Sequence, residues 1–324
     1  MKRAGKKVLG FLVSFLIILF LYSRLDVKGM VRALSSLNPF LLTCCFLLFI
    51  PQIGLITYRW KVLCSPYYDS GIKESLSLIL SGQTMNLFLP SKMGSIAKVA
   101  FLRDHSVLDW RKGLDFVLLE RGLDFAALSF WMVLGFLIKP ISGSLELTGF
   151  LTGGAIILVV VAIYSGSWGE GENVERFLGR FHQRLGEGTG KLLKGAVLLK
   201  KDLSNNGSLL KAVIISIFLW VLHLGQFYLF FLSLGITGIS LVTVFTLIPM
   251  GIYIGLLPLT SSGIGTRDAA FIYLFRTWVS PEKMALVGIF SLVRYLVPGI
   301  LGLPFIGKNI SSLRLSSKSM FSEE

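Results

Sequence analysis

Apolar residues gather into the runs Val8–Tyr22, Phe40–Tyr58, Ala126–Ile138, Leu147–Tyr164, Ala212–Leu234, Leu241–Leu257 and Ala285–Ile306. Most approach the roughly 20 residues that cross a hydrocarbon core, so they predict membrane-crossing helices rather than the interior of a soluble globule. Two stretches are interrupted. Leu76–Leu89 runs into Pro90, Gly94 and Lys98 and then the apolar Val99–Leu102, while Leu241–Leu257 runs into Pro258, Gly263, Gly265, Arg267 and Asp268 and then Ala269–Phe275. About thirty residues after each break comes a helix carrying an arginine among apolar residues, Arg121 in the first case and Arg294 in the second. The same order of apolar leg, Pro/Gly break, half-helix and arginine-bearing crossing, met twice, predicts an internal duplication.

Irregular backbone at membrane depth is tolerated only inside protein or beside a water-filled cavity, so both broken segments are expected to be re-entrant helical hairpins. The fold class predicted is an all-α polytopic membrane protein with about six transmembrane helices and two re-entrant hairpins in an inverted repeat. Loop charge supplies the orientation. Lys2, Arg3, Lys6 and Lys7 precede the first run and Lys308, Arg314 and Lys318 follow the last, which places both termini in the cytoplasm of a cell-membrane protein. Three parts follow: an N-terminal membrane half (1–164) with the first broken repeat, an insert (165–208), and a C-terminal membrane half (209–324) with the second. After Tyr22 the chain reads Ser-Arg-Leu-Asp, without the small residues of a cleavage site, so the first helix is expected to be retained.

Composition supports the bilayer as solvent: 53% of residues are hydrophobic and 15% charged, with a mean hydropathy of +0.73. The formal charge of +14 does not point to nucleic acid, because the basic residues flank apolar runs instead of forming one soluble face. In the insert, Val174, Phe177, Leu178, Phe181 and Leu185 recur at helical spacing among arginines, and Leu192, Leu193, Ala196 and Val197 follow beside lysines. This is the make-up of a helical pair lying on an anionic membrane surface, or of one packed on a loop. Cys44, Cys45 and Cys64 and the scattered histidines offer neither a disulfide framework nor a metal site, and no cofactor is expected. His223 falls within a predicted crossing, either as a proton relay or bonded to a neighbouring helix.

Glu120, Arg121 and Asp124 share the first part of one predicted helix. At roughly 2.5–3.5 kcal/mol for each charge at the bilayer centre, they require partners. Arg121 can pair with Asp124 at i, i+3, leaving Glu120 for Lys98, Arg267 or Arg294. Such a set is either a structural ion network or a substrate or proton pathway. Arg294 falls roughly 15 Å into the last helix, near the midplane, where it either meets Glu120 or Asp124 or offers its planar fork to a phosphate. Half-helices beginning after Gly94 and Gly265, with Ser95 and Thr266 as candidate caps, would aim free N–H groups at an anion, reinforced by Lys98 and Arg267.

With these residues in hand, the chain resembles the lysylphosphatidylglycerol synthase transmembrane-region family, also described as flippase-like membrane proteins, over nearly its whole length. The resemblance is carried by Asn86 to Pro90, Gly94 and Lys98, by Glu120-Arg121 with Asp124, by Leu257-Pro258 to Gly263, Gly265, Arg267 and Asp268, and by Arg294. Family members tend to have an acid after the first glycine, where this chain has Ser95, an arginine where it has Lys98 and a glutamate where it has Asp268. The resemblance implies lipid translocation. Bifunctional members add a soluble aminoacyltransferase domain, for which about twenty residues after the last crossing are too few.

The function expected is therefore a non-enzymatic flippase or scramblase for a phosphate-bearing lipid: a phospholipid, an aminoacylated lipid or a polyprenyl phosphate. The anionic membrane lipid is its partner and substrate. The alternative is a non-transporting membrane subunit that holds a lipid-modifying enzyme or glycosyltransferase. A membrane-embedded glycosyltransferase using Glu120 or Asp124 as base has least to support it, since no metal-binding carboxylates for a sugar nucleotide are present in the sequence.

Overall fold

The computed structural model describes residues 26–88, 94–95, 98–100, 110–139, 148–149, 151–157, 203, 207–256 and 265–306. Among these, the ordered elements are helical and no strand occurs. The Val8–Tyr22 run, Pro90, Pro258, Gly263 and the basic segments at both chain ends lie outside the described residues, as does the 165–208 insert apart from Leu203, Gly207 and Ser208.

The first described helix, α1 (Val27–Ser35), is amphipathic, and the apolar-run reading did not anticipate it. Its N-cap Asp26 accepts from the Lys28 N–H. Asn38 caps α2 (Pro39–Leu47), accepting from the Leu41 N–H with proline at the first helical position. A turn at Leu48 passes directly into α3 (Phe49–Cys64), and Pro39–Cys64 together form one stretch long and apolar enough to cross a membrane. Three more stretches qualify. They lie in α5 (Trp110–Ile138), α6 (Ser208–Ser233) and α9 (Pro281–Leu301). The apolar run Ala126–Ile138 is thus only the second half of a 29-residue helix whose first half bears the charges. Shorter helices are α4 (Ile72–Phe88), α7 (Leu241–Leu256) and α8 (Thr266–Leu274).

Large apolar side chains face outward along the long helices, including Phe40, Leu137, Phe218 and Ile300. A continuous exposed apolar surface of this kind requires a covering, and the bilayer supplies it. Inside, one aromatic-rich cluster joins Phe227, Phe230 and Phe231 of α6 to Phe271, Phe275 and Phe290. A second gathers Trp60 and Leu63 of α3, Leu78 of α4, and Phe116 and Leu119 of α5.

Glycines mark how the two broken segments fold. Gly251 faces Phe271 and Gly255 faces Arg267, so α7 and α8 lie side by side in opposite directions. In the first segment Gly94 returns against Gly82 of α4, and its N–H donates to the Asn86 side-chain carbonyl at 2.8 Å. Each returning leg then rests on a glycine of the next long helix, Val99 on Gly113 of α5 and Asp268 on Gly288 of α9. The outer legs are exchanged between halves. Thr84 of α4 donates to the Gly299 carbonyl of α9 at 2.6 Å, while Thr246 of α7 lies against Gly135 of α5.

Candidate functional site

A cavity of about 160 Å³ opens among α3, α4, the Gly94–Lys98 segment, α5, α6 and α9. Helix α3 contributes Ile56 and Arg59, α4 contributes Ile79, Gly82, Gln83 and Asn86, and the returning segment contributes Gly94, Ser95 and Lys98. Glu120, Arg121 and Asp124 come from α5, Trp220 and His223 from α6, and Arg294 and Tyr295 from α9. Of the sequence-predicted site residues, the structure brings Asn86, Gly94, Lys98, Glu120, Arg121, Asp124 and Arg294 together on this cavity.

Glu120 is gripped from two sides. The Lys98 ammonium donates to both of its oxygens, at 2.9 and 2.8 Å, and Arg59 Nη2 donates to Oε1 at 3.0 Å. The other arm of Arg59 reaches Asp124 Oδ1 at 2.6 Å and the Ser216 hydroxyl at 2.8 Å. Arg59 is the centre of the network, and its side chain is 2% exposed. Lys98 also sits 5.0 Å from the Trp60 ring centroid. The expected Arg121–Asp124 pair is present only at 3.9 Å, with the Arg121 side chain 44% exposed, so Asp124 answers chiefly to Arg59.

Arg294 takes neither of the acidic partners that its midplane position suggested. It donates to Gln226 Oε1 at 3.0 Å and to the Tyr295 hydroxyl at 2.7 Å. Its guanidinium lies 4.8 Å from the Phe227 ring centroid and 4.7 Å from that of Tyr295, a cation–π arrangement that shields its faces and leaves its edges for hydrogen bonds. Gln226 is fixed in turn, accepting from Gln52 at 3.2 Å and donating to the Cys45 carbonyl at 2.6 Å. Its two functions orient the amide unambiguously.

The second broken segment stands apart. Arg267 donates to its neighbour Asp268 at 3.0 and 2.8 Å and reaches the Gly288 carbonyl at 3.4 Å. Gly265, Arg267 and Asp268 do not line the cavity. Gly265, with φ of 91°, occupies the N-cap of α8 without a side-chain cap, so Thr266 is the first helical residue and not the cap. The positive end of α8 meets Asp268 in its own first turn.

Among the cavity residues that the sequence did not point to are the polar or aromatic Arg59, Gln83, Trp220 and Tyr295. Arg59 directly follows the apolar run Phe40–Tyr58 and resembles an interfacial flank. On α6, however, Ser216, Trp220, His223 and Gln226 recur at helical spacing within an otherwise apolar run, a polar stripe that was available as a signal.

The cavity is lined by the cations Arg59, Lys98, Arg121 and Arg294 against the carboxylates Glu120 and Asp124, which leaves two positive charges in surplus among the described residues. Buried Arg59 Nε, Trp220 Nε1 and Arg294 Nε have no acceptor among the described residues. The excess of positive charge suits an anionic oxygen ligand. No group of His, Cys, Asp and Glu that could hold a metal occurs among the described residues.

The family model described as lysylphosphatidylglycerol synthase TM region matches residues 7–302. A UPF0104 membrane protein of Methanocaldococcus jannaschii is 24% identical over 325 aligned positions, covering 93% of this chain and 94% of that protein.

Proposed function

This chain belongs to the lysylphosphatidylglycerol synthase TM region family of membrane proteins, and from that membership and the charge of its cavity we propose that it takes the phosphate of a membrane lipid into the cavity and carries the lipid between leaflets. The observation that carries the reading is Arg294, a buried cation on the cavity whose bonded partners are neutral. A buried charge without a counter-ion is costly, and a phosphate would supply both the counter-charge and acceptors for its fork. Lys98 and Arg121 would assist, while Arg267, held by Asp268, has a structural part.

The proposed work is transport and not a reaction. Glu120 accepts from Arg59 and Lys98 at both oxygens, which leaves it poorly placed to remove a proton from a substrate. In the membrane, the paired legs α7 and α8, and α4 with its return at Gly94, would be re-entrant hairpins entering from opposite sides, within about six crossings and with both termini cytoplasmic. The cavity would take the headgroup while the acyl chains remain in lipid.

The test is Arg294→Gln beside Arg294→Lys, reconstituted in vesicles with a labelled anionic phospholipid. Both variants are expected to fold, judged by size exclusion and thermal melting, and to move lipid slowly, with Gln the slower because it loses the charge. Wild-type movement by a folded Arg294→Gln protein rejects the reading.

A further inference from the structure

Helix α1 lies outside the cavity, and from its surroundings we infer that it rests in the plane of the membrane surface, seated in the lipid headgroup layer beside the ends of α2, α6 and α9. This placement stands whether or not the protein carries lipid. Three span ends meet there: α2 begins at Pro39, α6 finishes at Ser233 and α9 begins at Pro281. The Lys283 ammonium of α9 donates to the Leu234 carbonyl just past α6 at 3.0 Å, which holds those two ends at one level. Both flanks of α1 are pinned to the same level. A Cβ placed on Gly29 would lie 3.2 Å from the side chain of Glu282 in the first turn of α9. Just beyond the other end, the Asn38 N–H donates to the Ser233 carbonyl at 2.8 Å. Standing along the membrane normal, this helix of 9 residues, about 14 Å long, would carry one of its ends away from that level.

The surface of α1 is divided to match. Ala33 is buried against the aromatic-rich cluster, with Met30 packed beside it. The outward surface carries two lengthwise stripes at the same i, i+4, i+7 spacing. One is Val27, Val31 and Leu34, which are 68%, 59% and 45% exposed, and the other is Lys28, Arg32 and Ser35. The N-cap Asp26, bonded to Arg32 at 3.1 Å, is exposed as well. Water on both stripes would leave three large aliphatic side chains solvated, and lipid on both would strand charges. At the boundary each stripe has its own solvent: the aliphatic side chains reach the acyl layer while Lys28 and Arg32 stand at the height of the phosphates. The apolar stripe also leads into the surface that the bilayer covers, since the exposed Phe40 follows in the first turn of α2. Exposed Tyr273 and Trp278, beside the entry to α9, mark the same level, because amphipathic rings collect at membrane interfaces. Packed on α9 and tied through Asn38 to α6, α1 acts as a float that sets the depth of both helices.

Nitroxide labels test this on the full-length protein lacking its native cysteines, reconstituted in vesicles of phosphatidylcholine and phosphatidylglycerol. The labels go on Val27→Cys, Val31→Cys and Leu34→Cys, and on Lys28→Cys, Arg32→Cys and Ser35→Cys. All six positions are exposed, so the labelled proteins are expected to elute like the wild type on size exclusion. Collisions with oxygen, which enters the acyl layer, and with a water-soluble nickel chelate then report depth. Labels at 27, 31 and 34 should favour oxygen at a shared depth about 5–10 Å into the headgroup and acyl boundary, whereas those at 28, 32 and 35 should favour nickel. A depth that changes by roughly 10 Å between 27 and 34 describes a helix along the membrane normal and overturns the inference. Few collisions with either reagent at 27, 31 and 34 show the stripe covered by the Val8–Tyr22 run or by a second copy of the chain, and overturn it too. So does free access of nickel to all six.

Discussion

Replacing Arg59 with methionine removes the hub of the charged network while keeping an unbranched side chain of comparable reach. In the wild type its two arms bind Glu120 at 3.0 Å and Asp124 at 2.6 Å. Taking one partner from a buried ion pair costs about 3–5 kcal/mol, because the remaining charge is stranded in a medium that solvates it poorly. Here the lower part of that range applies. Glu120 keeps the Lys98 ammonium at 2.8 Å, and Asp124, with a side chain 17% exposed, keeps only Arg121 at 3.9 Å. A destabilisation of about 3 kcal/mol is therefore expected, borne mainly by the stranded Asp124. Reversible unfolding of the protein in mixed micelles, followed by tryptophan fluorescence, measures it. Adding Asp124→Asn to Arg59→Met should restore more than half of the loss, since the stranded charge disappears with its partner. A single variant within about 1 kcal/mol of wild type would place the pair in the class of solvated surface bridges and refute the argument. A double variant no better than the single would refute the assignment to Asp124.

Gln226→Leu deprives Arg294 and Gln52 of an acceptor and the Cys45 carbonyl of a donor. A loss of about 2–4 kcal/mol is expected in the same unfolding assay, with lipid movement falling as Arg294 loses its anchor, and an unchanged stability would show that water replaces the amide freely. For the orientation, a cysteine placed at Ser317 in a background lacking the native cysteines should be labelled by a membrane-impermeant maleimide only after the membrane is opened. Labelling from outside intact cells would remove the inward C-terminus and, with it, the inverted arrangement of the hairpins.

Much of the fold was legible because a bilayer leaves few options and apolar length sets the helices, although Pro249 with Gly251 and Pro298 with Gly299 lie inside continuous helices, so Pro and Gly together do not by themselves mark a break. That Glu120 needs a cation was legible because charges at membrane depth need one another, and of the three expected, Lys98, Arg267 and Arg294, the structure selects Lys98. What sequence spacing could not supply is which cation reaches which acid. Arg59 lies 61 positions from Glu120 and 65 from Asp124, and it sits in Tyr58-Arg59-Trp60-Lys61, a sequence that also suits a helix end at the headgroups. Only the packing of α3 against α4 and α6 carries it inward. Arg267 is the converse. Its match to Lys98 in the repeat suggested a second phosphate contact, but the adjacent Asp268 closes onto it at the start of α8, a local choice of partner that repeat symmetry does not reveal.

The distribution of bonds between the two halves bears on how such a protein could move. Among the described residues, every ion pair joins groups of the same half: Arg59 with Glu120 and Asp124, Lys98 with Glu120, and Arg267 with Asp268. Across the halves run hydrogen bonds instead, from Gln52 to Gln226, from Arg59 to Ser216, from Thr84 to the Gly299 carbonyl and from Trp131 to the Ile217 carbonyl. Breaking a buried ion pair strands a charge, whereas exchanging a hydrogen bond costs only about 0.5–1.5 kcal/mol net when another partner or a water takes its place. The N-terminal half is thus held by ion pairs between elements that resist opening, whereas the Arg267–Asp268 pair joins sequence neighbours, and the seam carries hydrogen bonds that can be remade one at a time. Arg294 sits on one side of that seam and the Glu120 network on the other. On the proposed transport reading, a phosphate seated between them would bridge the halves only while the cavity is closed around it, as carriage of a bound headgroup by rocking would require.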